Sequence, residues 1–298
     1  MDDQNTNTRD LTRSLSIILP ALNEAENLAR LLPELKQAQP QAEIIVVDDG
    51  STDDTLTVCK QHGVDTISHP YSMGNGAAIK SGARKSGGEI LVFMDADGQH
   101  QPGDIARLLD KMKEGYQMVV GARKTGSHTS MLRVIGNTIY NHMASYMTGY
   151  AIQDLTSGFR AVTRKNFIKY LYLLPNRFSY PTTITMAFFR SGLPVAYIPI
   201  EAKSRIGKSH ISLFKDGVRF FVIILKVGAL FSPMRLFLPI ATFLFITGFS
   251  YYVYTHITYG RFTNMSALVM VSSLIIFLIG ILAEHISFLH YKDAERDK

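Results

Sequence analysis

The sequence predicts an α/β domain built on a sheet with crossover helices, followed by an amphipathic interface helix and a hairpin of two transmembrane helices. Short β-rich runs alternate with helical periodicity over residues 14–121, as expected for a sheet with crossover helices. Near the C-terminus, two long segments carry no charged residue, and a basic, apolar helix precedes them. These observations indicate one full-sized domain with a membrane module attached.

Four apolar runs have the composition of buried strands: SLSIIL, EIIVV, ILVFM and MVV. Between the first two runs, four leucines follow the spacing of a helix with one buried face, namely Leu28, Leu31, Leu32 and Leu35. After Gly121 the pattern indicates helices and loops, up to a further strand at Val195–Ile200. Because open α/β sheets bind ligands at the carboxyl ends of their strands, residues 20–24, 48–53 and 95–99 are the candidates for a site.

Asp95 and Asp97 follow the third run directly and would bring two carboxylates to the sheet edge, separated by Ala96. This arrangement suits Mg²⁺ or Mn²⁺, which keep few protein carboxylates and take further oxygen ligands from water and a diphosphate. Two acidic residues in a turn are also common without any function. The residues of the neighbouring loops are therefore needed to distinguish a metal site from an ordinary acidic turn.

The loops after the first two runs carry polar side chains that fit a nucleotide. Asp48 and Asp49 could accept hydrogen bonds from the imide N–H of a uracil or the amino groups of a guanine. Residues 20–24 could close the other side of the base and ribose. Both loops also allow a structural interpretation, in which Asn23 and the Ser51-Thr52 pair cap the helices that follow.

Residues 236–255 and 265–283 each approach the roughly 20 apolar residues that a helix needs to cross a bilayer. The alternative is a pair of buried helices in a soluble protein. The loop between them carries Arg261 alone, whereas Arg235 precedes the first segment and Lys292 is the first of three basic residues after the second. The positive-inside rule therefore predicts an integral membrane protein with both termini and the first domain in the cytoplasm, most simply at a bacterial inner membrane.

The formal net charge of +6 and the pI of about 9.2 are compatible with nucleic acid, anionic lipid or a phosphorylated substrate. The net positive charge lies in the second half, where Lys215, Arg219 and Lys226 fall on one side of an apolar helix. Such a helix typically lies in the membrane interface, although a salt-bridged globular helix is the alternative. We therefore expect membrane lipids, and no nucleic acid, as partners. Cys59 is the single cysteine, which excludes an intrachain disulfide and a thiolate zinc cluster.

Four motifs stand in order along the first domain: LPALNEAENL, VVDDGSTDDT, GNGAAIKSG and MDADGQHQP. With them the chain, over about residues 15–211, resembles the inverting glycosyltransferases of family 2. The resemblance implies their α/β fold, the GT-A fold, with a Rossmann-like mixed sheet. VGAR at 120–123, DLTSGFRAVTR at 154–164 and RIGKSH at 205–210 make it most similar to the polyprenyl phosphate glycosyltransferases of that family. The resemblance implies transfer of a sugar from a UDP- or GDP-linked donor to an undecaprenyl or dolichyl phosphate, assisted by Mg²⁺ or Mn²⁺.

The same resemblance implies roles for individual residues. The expected nucleotide contacts are Pro20, Leu22, Glu24, Asp48, Asp49 and Ala96. The expected metal-binding residues are Asp95, Asp97 and Gln99, and the expected phosphate-binding residues are Arg123, Arg133, Arg205 and Lys208. The expected catalytic residues are Asp97 and Asp154. Because a phosphate monoester is already largely ionised at pH 7, Asp154 either takes a proton from the acceptor or orients another group, and its structural alternatives are a helix cap or a partner of Arg160.

The expected organisation is a polar tail at 1–13, the transferase domain at 14–210, an interface helix region at 211–233, the transmembrane hairpin at 234–291 and a tail at 292–298. The expected reaction is an in-line displacement with inversion at the anomeric carbon. A processive polysaccharide synthase is disfavoured because the chain has no tryptophan for the acceptor motif of those enzymes. The alternatives are a non-catalytic membrane scaffold with a nucleotide-binding shape, or a different membrane glycan synthase. A homo-oligomer is compatible with the sequence.

Overall fold

The computed structural model describes residues 15–123, 131–176, 180–201, 222, 225–226 and 228–296, with the backbone alone for 131–135, 137 and 290–296. The strands are β1 Leu15–Ala21, β2 Glu43–Asp48, β3 Asp65–Ser68, β4 Ile90–Phe93, β5 Met118–Arg123, β6 Arg160–Thr163 and β7 Val195–Ile200. The helices are α1 Ala25–Ala38, α2 Thr55–Gln61, α3 Asn75–Lys85, α4 Asp104–Lys113, α5 Met131–Thr148, α6 Arg164–Lys169, α7 Tyr180–Arg190, α8 Pro233–Tyr259 and α9 Asn264–Arg296. A short 3₁₀ turn, Leu171–Leu173, follows α6.

The seven strands form one mixed sheet in the order β3-β2-β1-β4-β6-β5-β7. β1 pairs in parallel with β2 and β4, and β2 pairs in parallel with β3. β6 runs antiparallel to both β4 and β5, and β7 runs parallel to β5. Since β5 therefore runs in the same direction as β4, the carboxyl ends of β1, β2, β4 and β5 lie at one edge of the sheet. The loops predicted to bind ligands all follow these ends.

The core forms where the apolar runs of the sequence predict it. The side chains of β4 are buried, as are nearly all those of β1 and β2. The leucine stripe of α1 is also buried: Leu28, Leu31, Leu32 and Leu35 are between 0% and 4% exposed. Each such leucine contributes about 2 kcal/mol by leaving water, so this stripe is the face through which α1 packs on the core.

Five strands were predicted and are confirmed, whereas β3 and β6 were missed. Both have only four residues, and β3 lies at the sheet edge with mostly exposed side chains, so no apolar run marks it. β6 begins at Arg160, whose side chain is fully buried. Its guanidinium donates to the carbonyl oxygens of Ser157 and Pro181 and to Thr185 Oγ1, while its Nε has no hydrogen-bond partner among the described residues. A charged residue at the start of β6 interrupts the apolar pattern by which a buried strand is recognised in a sequence.

The described residues form two compact units. One contains the sheet and lies within Met1–Asn141 and Ile152–Ser212, and the other contains α8 and α9 and lies within His142–Ala151 and Leu213–Lys298. Of the interface helix expected at 211–233, Lys215 and Arg219 lie outside the described residues, and Lys226 is helical and exposed.

Helices α8 and α9 contain the two apolar segments predicted to cross a membrane, and Pro233–Tyr259 and Asn264–Leu289 are long and apolar enough to do so. They pack against each other through small residues. Ser273 Oγ donates to the carbonyl oxygen of Ala241 (3.0 Å). A Cβ at Gly248 would lie 3.0 Å from Met270 Cγ, so the glycine permits a close approach of the helices. This use of small residues and an interhelical hydrogen bond is typical of packing in a bilayer.

Candidate active site

The loops that follow β1 and β2 are joined by hydrogen bonds. Asn23 has a left-handed backbone (φ 56°), its N donates to Ser51 Oγ (2.8 Å), and its Oδ1 accepts from Thr52 N (2.8 Å). These residues therefore do not cap helices, which was their structural alternative. The N-cap residues of α1 and α2 are Glu24 and Asp54, and neither side chain accepts a capping hydrogen bond from the backbone of its helix. Asn23 instead fixes the two loops predicted to surround a nucleotide.

Three expected nucleotide contacts lie at the end of β1. Pro20 is partly buried within the strand, whereas Leu22 has 44% of its surface exposed. The Glu24 carboxylate accepts a hydrogen bond from Asn27 Nδ2 (2.6 Å). The exposed side chain of Leu22 offers an apolar surface that suits the face of a base, and its contact with a nucleotide stays a prediction.

Asp48 and Asp49, at the end of β2, are almost completely buried. Asp48 Oδ1 accepts from Ser51 N (3.0 Å). Both oxygens of Asp49 are used twice, by His69 Nδ1 (2.7 Å), Met73 N (2.9 Å), Ser72 Oγ (2.9 Å) and Gly74 N (2.8 Å). Burial acts to raise the pKa of Asp49, but these hydrogen bonds outweigh it and hold the pKa below its ordinary value of 3.8. Asp49 thus fastens the loop of residues 69–74 to β2, and its direct contact with a base stays a prediction.

The acidic turn, residues 95–99, follows β4 at the same sheet edge. Ala96 is buried, and the two carboxylates flank it in sequence. Gln99 N donates to Asp97 Oδ1 (3.2 Å), which closes the turn. Asp95 lies against the backbone of Gly158, where a Cβ would be 2.9 Å from Asp95 Oδ2. Only glycine leaves room for the carboxylate in this position.

The chemistry of the acidic turn fits a hard divalent cation. Within the described residues, no three His, Cys, Asp or Glu side chains converge as they do in a closed metal site. Two carboxylates and the amide oxygen of Gln99 would leave positions for water and diphosphate oxygens, which is the coordination that Mg²⁺ and Mn²⁺ accept. The same set does not fit a structural zinc site, which needs four protein ligands.

Arg123, the last residue of β5, forms a bidentate ion pair with Asp154. Arg123 Nε lies 2.8 Å from Asp154 Oδ2, and Arg123 Nη2 lies 3.0 Å from Asp154 Oδ1. The backbone N–H groups of Thr156 and Ser157 also donate to Asp154 Oδ1, each at 3.1 Å. Burial acts to raise the pKa of Asp154, but the hydrogen bond and charge of Arg123 outweigh it and hold the pKa below 3.8. Asp154 is therefore a weak base, and its partner is Arg123 rather than Arg160.

The acidic turn also affects the pKa of Arg123. Burial acts to lower the pKa of its guanidinium, but the hydrogen bond to Asp154 and the charges of Asp154 and Asp95 together raise it. The structure thus places Asp95, a predicted metal-binding residue, near enough to Arg123, a predicted phosphate-binding residue, for their charges to interact. Arg205 and Lys208 lie outside the described residues, as does the side chain of Arg133, whose backbone belongs to α5.

Sequence reasoning missed His100, which directly follows the acidic turn. Its ring stacks on Phe159 with centroids 4.9 Å apart and an interplanar angle of 14°. Burial lowers the pKa of His100 to about 4, so the imidazole is neutral at pH 7 and packs as an aromatic group behind the turn. The motif MDADGQHQP contained this residue, but its burial depends on β6, which brings Phe159 beside it.

Open α/β sheets bind their ligands at the carboxyl ends of their strands, and both the acidic turn after β4 and Arg123 at the end of β5 lie there. Residues 16–171 match the family described as Glycosyl transferase family 2, and residues 232–289 match the family described as GtrB C-terminal hairpin. The chain belongs to glycosyltransferase family 2, and it is a glycosyltransferase that carries this hairpin. The hairpin match and the two apolar helices also indicate a membrane protein, as the sequence predicts.

Several named proteins are similar to the chain. It is 30% identical over 217 residues to polyprenol monophosphomannose synthase of Mycolicibacterium smegmatis, a match that covers 67% of this chain and 82% of that protein. It is 26% identical over 247 residues to undecaprenyl-phosphate 4-deoxy-4-formamido-L-arabinose transferase of Photorhabdus laumondii, covering 80% and 74% of the two chains. Among solved structures, glucosyl-3-phosphoglycerate synthase of Mycobacterium tuberculosis in complex with Mn²⁺ and UDP aligns with a TM-score of 0.60 and 20% identity over 72% of this chain and 80% of that chain. This likeness confirms the GT-A fold.

Proposed function

We propose that the protein transfers a sugar from a UDP- or GDP-linked donor to a polyprenyl phosphate at the cytoplasmic face of a membrane. The observation that carries the proposal is the combination, in one chain, of the acidic turn beside the Arg123–Asp154 pair with a hairpin able to span a bilayer. The names of the relatives support this acceptor class, because two of them act on polyprenyl phosphates.

The donor would be held by the loops at the sheet edge. Leu22 and the loops fixed by Asn23 and Asp49 would enclose the base and ribose. Asp95, Asp97 and Gln99 would hold Mg²⁺ or Mn²⁺, which supplies Lewis-acid stabilisation of the departing nucleoside diphosphate. The bases of UDP and GDP differ in the hydrogen-bond donors that they present. The side chains that contact the base would therefore select between the two nucleotides.

Arg123 would contact a phosphate of the donor or the acceptor. Its side chain is 39% exposed while that of Asp154 is 10% exposed, so the guanidinium reaches the surface from a buried anchor. Asp154 is a positioning residue in this proposal, since it fixes the plane of the guanidinium with two hydrogen bonds. The acceptor phosphate would attack the anomeric carbon in line with the departing diphosphate, with inversion and without proton transfer to Asp154.

The membrane module would keep the transferase domain, proposed at 14–210, beside a lipid substrate. The proposed topology has the hairpin at 234–291 and both termini in the cytoplasm, supported by Arg235 before the first span and Arg261 alone between the spans. Tags at either end should be inaccessible to protease in sealed right-side-out vesicles. Digestion of either tag without permeabilisation would refute the topology without touching the proposed reaction.

The reaction is tested by incubating the purified full chain with radiolabelled UDP- and GDP-sugars and a short polyprenyl phosphate. We expect label to enter the organic phase with one donor, in the presence of Mg²⁺ or Mn²⁺ only. Asp97→Asn should abolish the transfer, and Asp110→Asn should not, because Asp110 is an exposed carboxylate of α4 paired with Lys113. A chain that binds nucleoside diphosphate but labels no lipid with any donor would identify a scaffold instead.

A further inference from the structure

The backbone of Gly158 is the surface against which the Asp95 carboxylate lies. A Cβ at Gly158 would be 2.9 Å from Asp95 Oδ2 and 3.3 Å from Asp95 Oδ1. Two side chains hold this backbone by hydrogen bonds. Arg160 Nη2 donates to the carbonyl oxygen of Ser157, and the Tyr180 hydroxyl donates to the carbonyl oxygen of Gly158 (3.1 Å). Because Asp95 lies on this backbone, whatever fixes the backbone also limits where the carboxylate can lie.

Arg160 joins this backbone to the start of α7. Its side chain is fully buried, and its Nη1 donates to the carbonyl oxygen of Pro181 (3.1 Å) and to Thr185 Oγ1 (3.0 Å). Its guanidinium carbon also lies 5.8 Å from the centre of the Tyr180 ring. One side chain therefore connects the first two turns of α7 to the residues beside Asp95.

The charge of Arg160 is not explained by packing alone. The acceptors of its hydrogen bonds are neutral, and its Nε has no partner in the part of the chain that the structure describes. Burial lowers the pKa of its guanidinium, and the opposing effects of nearby groups, which include the carboxylates of Asp154 and Asp95, do not offset it. A buried charge held by neutral acceptors costs free energy, so an apolar side chain of similar length would fill the same space at a lower cost.

We propose that Arg160 is a positioning residue for Asp95, and that it acts by holding the backbone of Ser157 and Gly158 together with the Tyr180 hydroxyl. Because Arg160 is fully buried, it acts through this backbone and not by contact with the metal or the substrate. The inference rests on the proposed function, since it takes Asp95 as a ligand of Mg²⁺ or Mn²⁺. Groups that orient a metal ligand typically change metal affinity by about 10- to 100-fold when they are removed.

The test measures Mn²⁺ binding to the full chain in detergent, with UDP or GDP present, by the electron paramagnetic resonance signal of the free ion. Tyr180→Phe removes one hydrogen bond to the Gly158 backbone and keeps the ring. Arg160→Met removes the guanidinium and keeps an unbranched apolar side chain. Tyr170→Phe is the matched control, because the buried Tyr170 hydroxyl donates to Ser191 Oγ (2.7 Å), just beyond the other end of α7.

We expect Tyr180→Phe to raise the Kd of Mn²⁺ about tenfold and Arg160→Met to raise it by about 10- to 100-fold, while Tyr170→Phe keeps the wild-type value. Both tyrosine variants lose one buried hydrogen bond, so their melting temperatures should fall by similar amounts. The difference in Mn²⁺ affinity between them therefore reports positioning and not stability. Equal Mn²⁺ affinity in Tyr180→Phe and Tyr170→Phe would overturn the proposal, and it does so even if Arg160→Met fails to fold.

Gly158→Ala provides the second arm, because its Cβ displaces Asp95 directly. If Tyr180 acts through the Gly158 backbone, Tyr180→Phe should weaken Mn²⁺ binding little further in the Gly158→Ala chain. Fully additive losses would contradict the proposal. A wild-type chain that bound no Mn²⁺ with either nucleotide would instead refute the metal role in the proposed function, and this inference with it.

Discussion

Asp154→Asn distinguishes a residue that takes a proton from one that positions Arg123. Asparagine keeps an acceptor for one of the two hydrogen bonds from Arg123 and removes the charge. A charge-assisted hydrogen bond contributes about 1.5 to 3 kcal/mol, and the 39% exposure of the Arg123 side chain favours the lower end. About 1.5 kcal/mol corresponds to about a tenfold fall in kcat/KM, whereas loss of a general base costs about 10² to 10⁴.

A double-mutant cycle with Arg123→Gln makes this comparison independent of the absolute loss. If Asp154 acts through Arg123, then Asp154→Asn should have little further effect once the guanidinium is gone, so the two losses are not additive. Asp110→Asn is the control for removing a carboxylate from the domain surface. Steady-state kinetics with varied lipid phosphate gives all four values. Additive losses in the double variant would refute the positioning role.

The pH profile provides a second readout. Because the pKa of Asp154 lies below 3.8, the carboxylate is ionised throughout the range from pH 5 to 9, and its titration should leave no limb in the profile of kcat/KM. Asp154→Asn should therefore lower the whole profile without changing its shape. An acidic limb with a midpoint above pH 5 that disappears in Asp154→Asn would show that Asp154 is a base after all.

Three further predictions concern the same sheet edge. Asp97→Ala should abolish transfer while circular dichroism stays unchanged, and EDTA should reproduce the loss until Mg²⁺ or Mn²⁺ is restored; turnover that survives both would refute the metal role. Gly158→Ala should weaken binding of nucleoside diphosphate with metal by about tenfold in titration calorimetry, because the new Cβ would lie 2.9 Å from Asp95 Oδ2; unchanged affinity would refute this close contact. Asp49 stabilises the fold fully above its ordinary pKa of 3.8, and this stability is lost as the pH falls through the lowered value. The melting temperature of Asp49→Asn, followed by circular dichroism, should therefore be lower than wild type at pH 7, and this difference should shrink at pH 3.

Much of the fold follows from short-range patterns in the sequence. The strand runs around Ile17, Val46 and Val92 and the leucine stripe of α1 are apolar because both faces of a central strand, and one face of its covering helix, are buried. The acidic turn was also predicted, since it directly follows one of these runs. Strand β6 was not predicted. Its four residues begin with a buried arginine and show neither an apolar run nor alternation.

The hydrogen-bond networks of the site could not be predicted, because they join residues that are distant in the chain. Asp49 binds residues 20 to 25 positions later, and Asp154 binds Arg123 across 31 positions. These pairs meet only because β3 lies beside β2 and β6 lies between β4 and β5. A sequence shows the carboxylates but not the strand order, and the strand order decides which of them acquire partners.

The hydrogen-bond partners of Asp49 and Asp154 indicate which class of acceptor the site can use. Asp49 accepts four hydrogen bonds from its own chain, and Asp154 is held by Arg123 and two backbone N–H groups, so neither is suited to remove a proton at neutral pH. Burial lowers the pKa of His100 to about 4, which makes it a weak base, and Asp95 and Asp97 are the residues expected to bind the metal. An acceptor hydroxyl would need a base, since its proton must leave as the bond to the anomeric carbon forms. A phosphate monoester, with a second pKa near 6, already carries the attacking oxygen in ionised form at pH 7. The site described here therefore suits a phosphate acceptor better than a sugar hydroxyl. A free alcohol that accepted the sugar as fast as a polyprenyl phosphate at pH 7 would refute this reasoning and require a base elsewhere in the chain.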